Sequence, residues 1–147
     1  MRKPTFLDPL VRKDSSACEL VDARRGSVLA SRVEPAFESS ARKRGLLGRD
    51  AVPDDFALII APSSAVHTWF MRVSIDVVFV SRNGTVTKTC RGVKPWRVAG
   101  SLKAFAVVEA AAGFIDRHRI IPGDIVRVRE MSPAARPGPE GHERSDT

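Results

Sequence analysis

The dipeptide Asn83-Gly84 stands between two runs rich in Val, Ile, Phe and Thr, Ile75 to Ser81 and Thr85 to Arg91. Asparagine and glycine both accept positive φ at low cost, so the pair predicts a two-residue type I′ hairpin. A hairpin fixes register as well as topology. Counting outward from Arg82 opposite Thr85, Val80 falls opposite Thr87, Val78 opposite Thr89 and Asp76 opposite Arg91. The flanking chain has the same character. Phe56 to Ile60, Val66 to Val73 and Asp124 to Arg129 favour strands, and Ala17 to Val21 with Ser27 to Val33 bracket Arg25-Gly26 as two more joined by a turn. Pro122-Gly123 matches the centre of a type II turn leading into the last strand.

One helix is expected, over residues 35–44. Pro35 suits a first turn, Gly45 suits a stop, and Phe37 and Ala41 would face inward while Arg42 and Lys43 meet water. Phe105 to Gly113 is ambiguous, because its alanines favour helix while Phe105, Val107 and Val108 suit a strand.

The 147 residues, 43% of them apolar, suit one mostly-β domain over residues 15–131. Residues 1–14 read as a flexible arm. Residues 132–147, rich in Pro, Gly and charge, read as a disordered tail. Cys18 and Cys90 lie in no metal or redox spacing and read as reduced thiols. No apolar stretch approaches the roughly 20 residues of a membrane span, and the first residues lack the apolar core of a signal peptide. The expectation is a cytoplasmic protein without a membrane partner. A net charge of +7 admits an anionic partner, although the basic residues form no dense run.

Read as a strand, Val66 to Val73 puts His67, Trp69 and Met71 on one face and Thr68, Phe70 and Arg72 on the other. An imidazole, an indole and a thioether together suit a ligand's flat or apolar surface, and they equally suit core packing. Lys94, Trp96 and Arg97, held around Pro95, combine cations with a stacking ring. Glu109 stands alone among Ala and Val. Desolvation there raises its pKa unless an arginine clamps it, so it reads as a general acid or as half of a buried ion pair. Asp76 has a structural role available opposite Arg91. Asp124 reads as a turn residue.

The ordered motifs RGLLGRD (Arg44 to Asp50), VHTWFMRVSIDVVFV (Val66 to Val80), Asn83-Gly84, VKPWR (Val93 to Arg97), Glu109 with Gly113, and Gly123-Asp124 resemble the domain of unknown function family 192. Phe70 and Ser74 depart from the pattern, where the family usually has a glycine before the methionine and a proline before Ile-Asp. The resemblance implies a compact β-sandwich or jelly-roll-like barrel with one or two short helices, and a largely extended Phe105 to Gly113. It brings no activity, cofactor or catalytic residue.

The leading functional expectation is therefore an uncharacterised, non-catalytic binding domain. Its site would be shallow, apolar and basic, built from His67, Trp69, Met71, Arg72, Lys94, Trp96 and Arg97, and would take a small-molecule, anionic or peptide ligand. A hydrolase-like enzyme using Glu109 or Asp76 with His67 is an alternative that needs those groups to converge. A nucleic-acid-binding accessory protein is another, weakened by few aromatics and no recognition helix. No metal or cofactor is expected, since no spacing brings two ligands together and the phosphate-binding, dinucleotide and nucleophile-elbow motifs are missing.

Overall fold

In a computed structural model, which describes residues 3–12 and 17–135, the chain is mostly β, with ten strands and three short helices. A five-stranded sheet has the order β3 (Arg32–Ala36), β4 (Phe56–Ile60), β9 (Ala106–Ala111), β6 (Ile75–Val80) and β7 (Val86–Val93). Its pairs are antiparallel except β3 with β4. A three-stranded sheet of β10 (Val126–Glu130), β1 (Cys18–Asp22) and β2 (Val28–Ala30) packs on one face, and β5 (Ala65–His67) pairs with β8 (Val98–Gly100) in a separate ribbon. The architecture is a β-sandwich rather than a closed barrel.

The central strands are buried along their whole length and read as continuous apolar runs, because both faces of the large sheet are covered. On one face Ala57, Ile59, Val78, Val80 and Val108 meet Leu20, Leu29, Val126 and Val128 of the smaller sheet. On the other, Leu58, Ile60, Val77, Phe79 and Val107 pack with Leu46 and Met71. Phe105 to Gly113 is settled in favour of strand β9, running between β4 and β6.

Several expectations change. The helix expected from Pro35 begins only at Ser39, as α2 (Ser39–Arg44), and Gly45 ends it. Pro35 instead pairs with Ile59 in β3, an edge strand, where proline is tolerated. Ser27 to Val33 breaks at Ser31, and its halves join different sheets.

The hairpin tip is a three-residue loop rather than a type I′ pair. Ser81 N–H donates to Thr85 C=O, Gly84 N–H donates to Ser81 C=O, and only Gly84 has positive φ, at 94°. A Cβ on Gly84 would also stand 2.4 Å from the Val126 carbonyl oxygen. Val78 lies opposite Thr89 as counted. Irregularities on either side put Val80 opposite Val86 and leave Arg91 to pair with Asp116 at 2.7 Å, not with Asp76.

Residues 3–12, expected as a loose arm, pack on the domain. Helix α1 (Asp8–Arg12) buries Leu10, Leu7 is buried beside it, and Phe6 N–H donates to Arg82 C=O. Most of the tail expected to be disordered lies outside the described residues; Pro133–Ala135 form a 3-10 turn. Among the described residues no helix is long and apolar enough to cross a membrane.

Candidate functional site

Glu109 lies opposite Leu58 on β4 and Val77 on β6, so its side chain shares their face of the sheet. That face is capped by α2 and the turn following it. Gly45 ends the helix with φ 49°, a conformation that favours glycine, and places its backbone so close that a Cβ would stand 3.2 Å from Glu109 Oε2. Glu109 is only 4% exposed, and among the described residues Oε2 has no hydrogen-bond partner. Burial pushes its pKa up from 4.5 to about 7, with the Leu46 amide and the charge of Arg49 only partly opposing.

Among the described residues the arginine clamp considered for Glu109 does not form. Arg49 is held instead by Glu34, at 3.1 Å, and its guanidinium lies over the Phe56 ring. Gly45→Ala is therefore expected to be destabilising by about 1–3 kcal/mol, from a side chain at positive φ and its collision with the carboxyl; equilibrium urea unfolding measures it. A midpoint equal to the parent's would show that the turn has room to yield.

Glu109 lines a recess of about 260 Å³, whose wall also includes Arg42, Lys43 and Arg44 of α2 together with His67 and Met71. Arg42 and Lys43, expected to face water alone, thus help line it, and Arg42 also donates to the Phe37 carbonyl. Sequence reasoning took Gly45 for a helix stop and missed that it and Leu46 roof the carboxyl.

His67 and Met71 line the recess for a reason other than strand alternation. Strand β5 ends at His67, because Thr68 is fastened to the loop before β8. Thr68 N–H donates to Arg97 C=O at 2.8 Å, Trp96 N–H donates to Thr68 C=O at 3.0 Å, Thr68 Oγ1–H donates to Lys94 C=O at 2.6 Å, and Arg97 N–H donates to Thr68 Oγ1 at 2.8 Å. After Thr68 the chain turns, Phe70 takes φ 63°, and Met71 returns to the interior. The predicted Val66 to Val73 strand is corrected accordingly, and no residue pattern marked Thr68 as its terminator.

These bonds display three rings. Trp69, Phe70 and Trp96 are 47%, 71% and 57% exposed, and the Phe70 and Trp96 ring centres lie 4.7 Å apart. The His67 ring lies 4.9 Å from that of Trp69 and joins this ledge to the recess. Lys94 and Arg97 are exposed beside Trp96, whereas Arg72 is engaged by Asp50 at 2.7 Å.

Asp76 stands apart from all of these. It lies opposite Ala110, on the other face of the sheet from Glu109, and is 1% exposed. Its Oδ1 accepts from Gly92 N–H and its Oδ2 from Ile115 N–H, each at 2.8 Å. The convergent set His67, Asp76 and Glu109 does not form, since alternation along β6 and β9 separates the two carboxyls. Asp124 accepts from Ile121 N–H across the Pro122-Gly123 turn, as its turn reading required. Among the described residues no group of three His, Cys, Asp or Glu side chains is placed to hold a metal.

No curated protein matches the chain. Two solved structures share its fold. One, from Sinorhizobium meliloti and described as a "putative transcription regulator", is 21% identical with a TM-score of 0.65, covering 76% of this chain and 91% of its own. The other, a protein of unknown function from Novosphingobium aromaticivorans, is 23% identical with a TM-score of 0.65, covering 75% and 82%. The family model described as "Uncharacterized ACR" matches residues 21–128, which hold the whole five-stranded sheet, the recess and the ledge, and the chain belongs to this domain of unknown function family, DUF192.

Proposed function

We propose that this chain is a non-catalytic binding domain of the cytoplasm, and that the Glu109 recess with its aromatic ledge receives a small polar or anionic ligand. The observation that carries the reading is a buried carboxyl with an unpartnered oxygen, closing a recess whose wall bears Arg42, Lys43, Arg44 and His67. Burying a polar group without a partner is costly, and sites retain such groups where a ligand completes them. The separation of Asp76 from Glu109 removes the second carboxyl that a hydrolytic pair would use, which supports binding over turnover. A reducing compartment suits the free thiol of Cys90.

A thermal-shift panel of small carboxylates, phosphates and amides, followed by calorimetry of the hits, tests this reading. At least one compound is expected to raise the melting temperature, and His67→Ala is expected to weaken it on the order of tenfold, the loss of one good contact. Hits that bind His67→Ala and Glu109→Gln as tightly as the parent would remove the recess from consideration.

A further inference from the structure

We propose that the ligand of this site is a nucleotide, its base stacked on the ledge of Trp69, Phe70 and Trp96 and its phosphate held by the cations of the recess wall. The inference rests on the binding role given above and names the chemistry of the occupant. Its first support is the way the rings are held. Phe70 and Trp96 both have positive φ, at 63° and 67°, a conformation that bulky side chains adopt only when their surroundings impose it. Here the bonds at Thr68 impose it, Met71 N–H to its carbonyl closing the turn over Phe70 and those to residues 94–97 holding Trp96, and the side chains so fixed point to solvent rather than into the core. The two strained rings pack on each other outside the core, 4.7 Å between centres, and such a preformed aromatic surface gives a flat ligand its place without further ordering.

Charge supplies the second support. Residues 64–74 and 93–104, which carry the ledge and its surroundings, contain no Asp or Glu, and beside Arg72, which Asp50 engages, they include Lys94, Arg97 and Lys103. Arg42, Lys43 and Arg44 add to this across the recess, which His67 shares with the ledge. An occupant that is flat at one end and anionic at the other matches both features. Aromatic stacking with nearby cations is the general means of holding unpaired nucleotides, and it tolerates any base because every base has a π-face. A free nucleotide and one unit of a single strand offer the same groups.

The chain contains two tryptophans and no tyrosine, and both tryptophans lie on the ledge, so its intrinsic fluorescence reports on that surface alone. Fluorescence titrations with AMP, adenosine, ribose 5-phosphate and a short oligoadenylate test the proposal. AMP is expected to quench and to bind on the order of tenfold more tightly than ribose 5-phosphate, the difference being one stacked base. Phe70→Gly removes a ring, relieves its backbone and keeps both fluorophores; its melting temperature should not fall, while AMP affinity drops by a similar factor. The double change Lys94→Ala, Arg97→Ala should weaken the oligoadenylate and flatten its salt dependence.

The two sources separate by affinity and salt. An oligoadenylate that binds much more tightly than AMP and weakens steeply with salt identifies a strand, and near-equal affinities identify a free nucleotide. The proposal is overturned if neither AMP nor the oligoadenylate binds, or if Phe70→Gly binds both as before. It also falls if anionic phospholipid vesicles change the fluorescence while nucleotides do not. Should nucleotides fail while a compound from the thermal-shift panel binds through His67, only the nucleotide assignment is lost; should both fail, the binding role goes with it.

Discussion

At pH 8, Glu109→Gln is expected to melt several degrees above the parent protein, and at pH 4.5 the two should melt together. In the unfolded chain the Glu109 carboxyl titrates near its ordinary value of 4.5, and in the fold burial raises it to about 7. Between those values the folded protein holds a proton that the unfolded chain has released, so parent stability falls as pH rises through the window and the loss is complete above about 7. Each tenfold difference in proton affinity between fold and unfolded chain is worth roughly 1.4 kcal/mol, so the ceiling is roughly 3 kcal/mol, which corresponds to several degrees for a domain of this size. Glutamine keeps the shape and an acceptor for the Leu46 amide but has nothing to ionise. Melting curves for both proteins from pH 4.5 to 8 provide the check, and a constant difference between them would show that the carboxyl keeps its ordinary affinity for protons. The same ionisation should weaken anionic ligands above pH 7. Arg42, Lys43, Arg44, Arg49 and His67 surround the carboxyl from the α2 side and from β5, while Leu58 and Val77 beside it on the sheet are apolar, so its new charge opposes an otherwise cationic setting.

Asp76→Ala should act in the opposite direction, destabilising the fold by on the order of 3–5 kcal/mol, and leave the recess intact. Asp76 accepts two backbone N–H groups, from Gly92 at the irregularity in β7 and from Ile115 in α3 (Phe114–His118). Hydrogen bonds to a charged acceptor are worth about 1.5–3 kcal/mol each, and alanine would leave the buried Ile115 N–H without a partner. The change should lower the urea midpoint strongly, while ligand affinity of the protein that remains folded stays within about twofold of the parent. A weakened ligand with unchanged stability would return Asp76 to the site and revive the hydrolytic reading.

The two changes show how far the residues spoke for themselves. Alternation and β propensity located β4, β6, β7 and β10, because strands bearing Val, Ile and Phe on a buried sheet leave a strong local pattern. They failed where tertiary bonds overrule local preference. Pro35 looked like a helix start but occupies an edge strand, and Val66 to Val73 looked like one strand but is cut at Thr68 by bonds to residues 94–97, some 30 positions away. The irregularity between Ile75 and Val77 has no residue code of its own, so the predicted partnership of Asp76 with Arg91 does not form. Glu109 was legible as a buried carboxyl from its apolar neighbours alone. Its roof was not, since the meeting of Gly45 with a residue 64 positions later depends on how the sheet is assembled.

That assembly has a consequence in its lone parallel pair. Strands β3 and β4 run in the same direction, so the chain between Ala36 and Phe56 must travel back along the sheet before it can pair again. This obligatory return path is the segment that carries α2, Gly45 and the cations above Glu109. Topology demands the journey but leaves most of its itinerary free, so lengthening or recomposing residues 37–55 would reshape what the recess admits without disturbing a single rung of the β4–β9–β6 ladder.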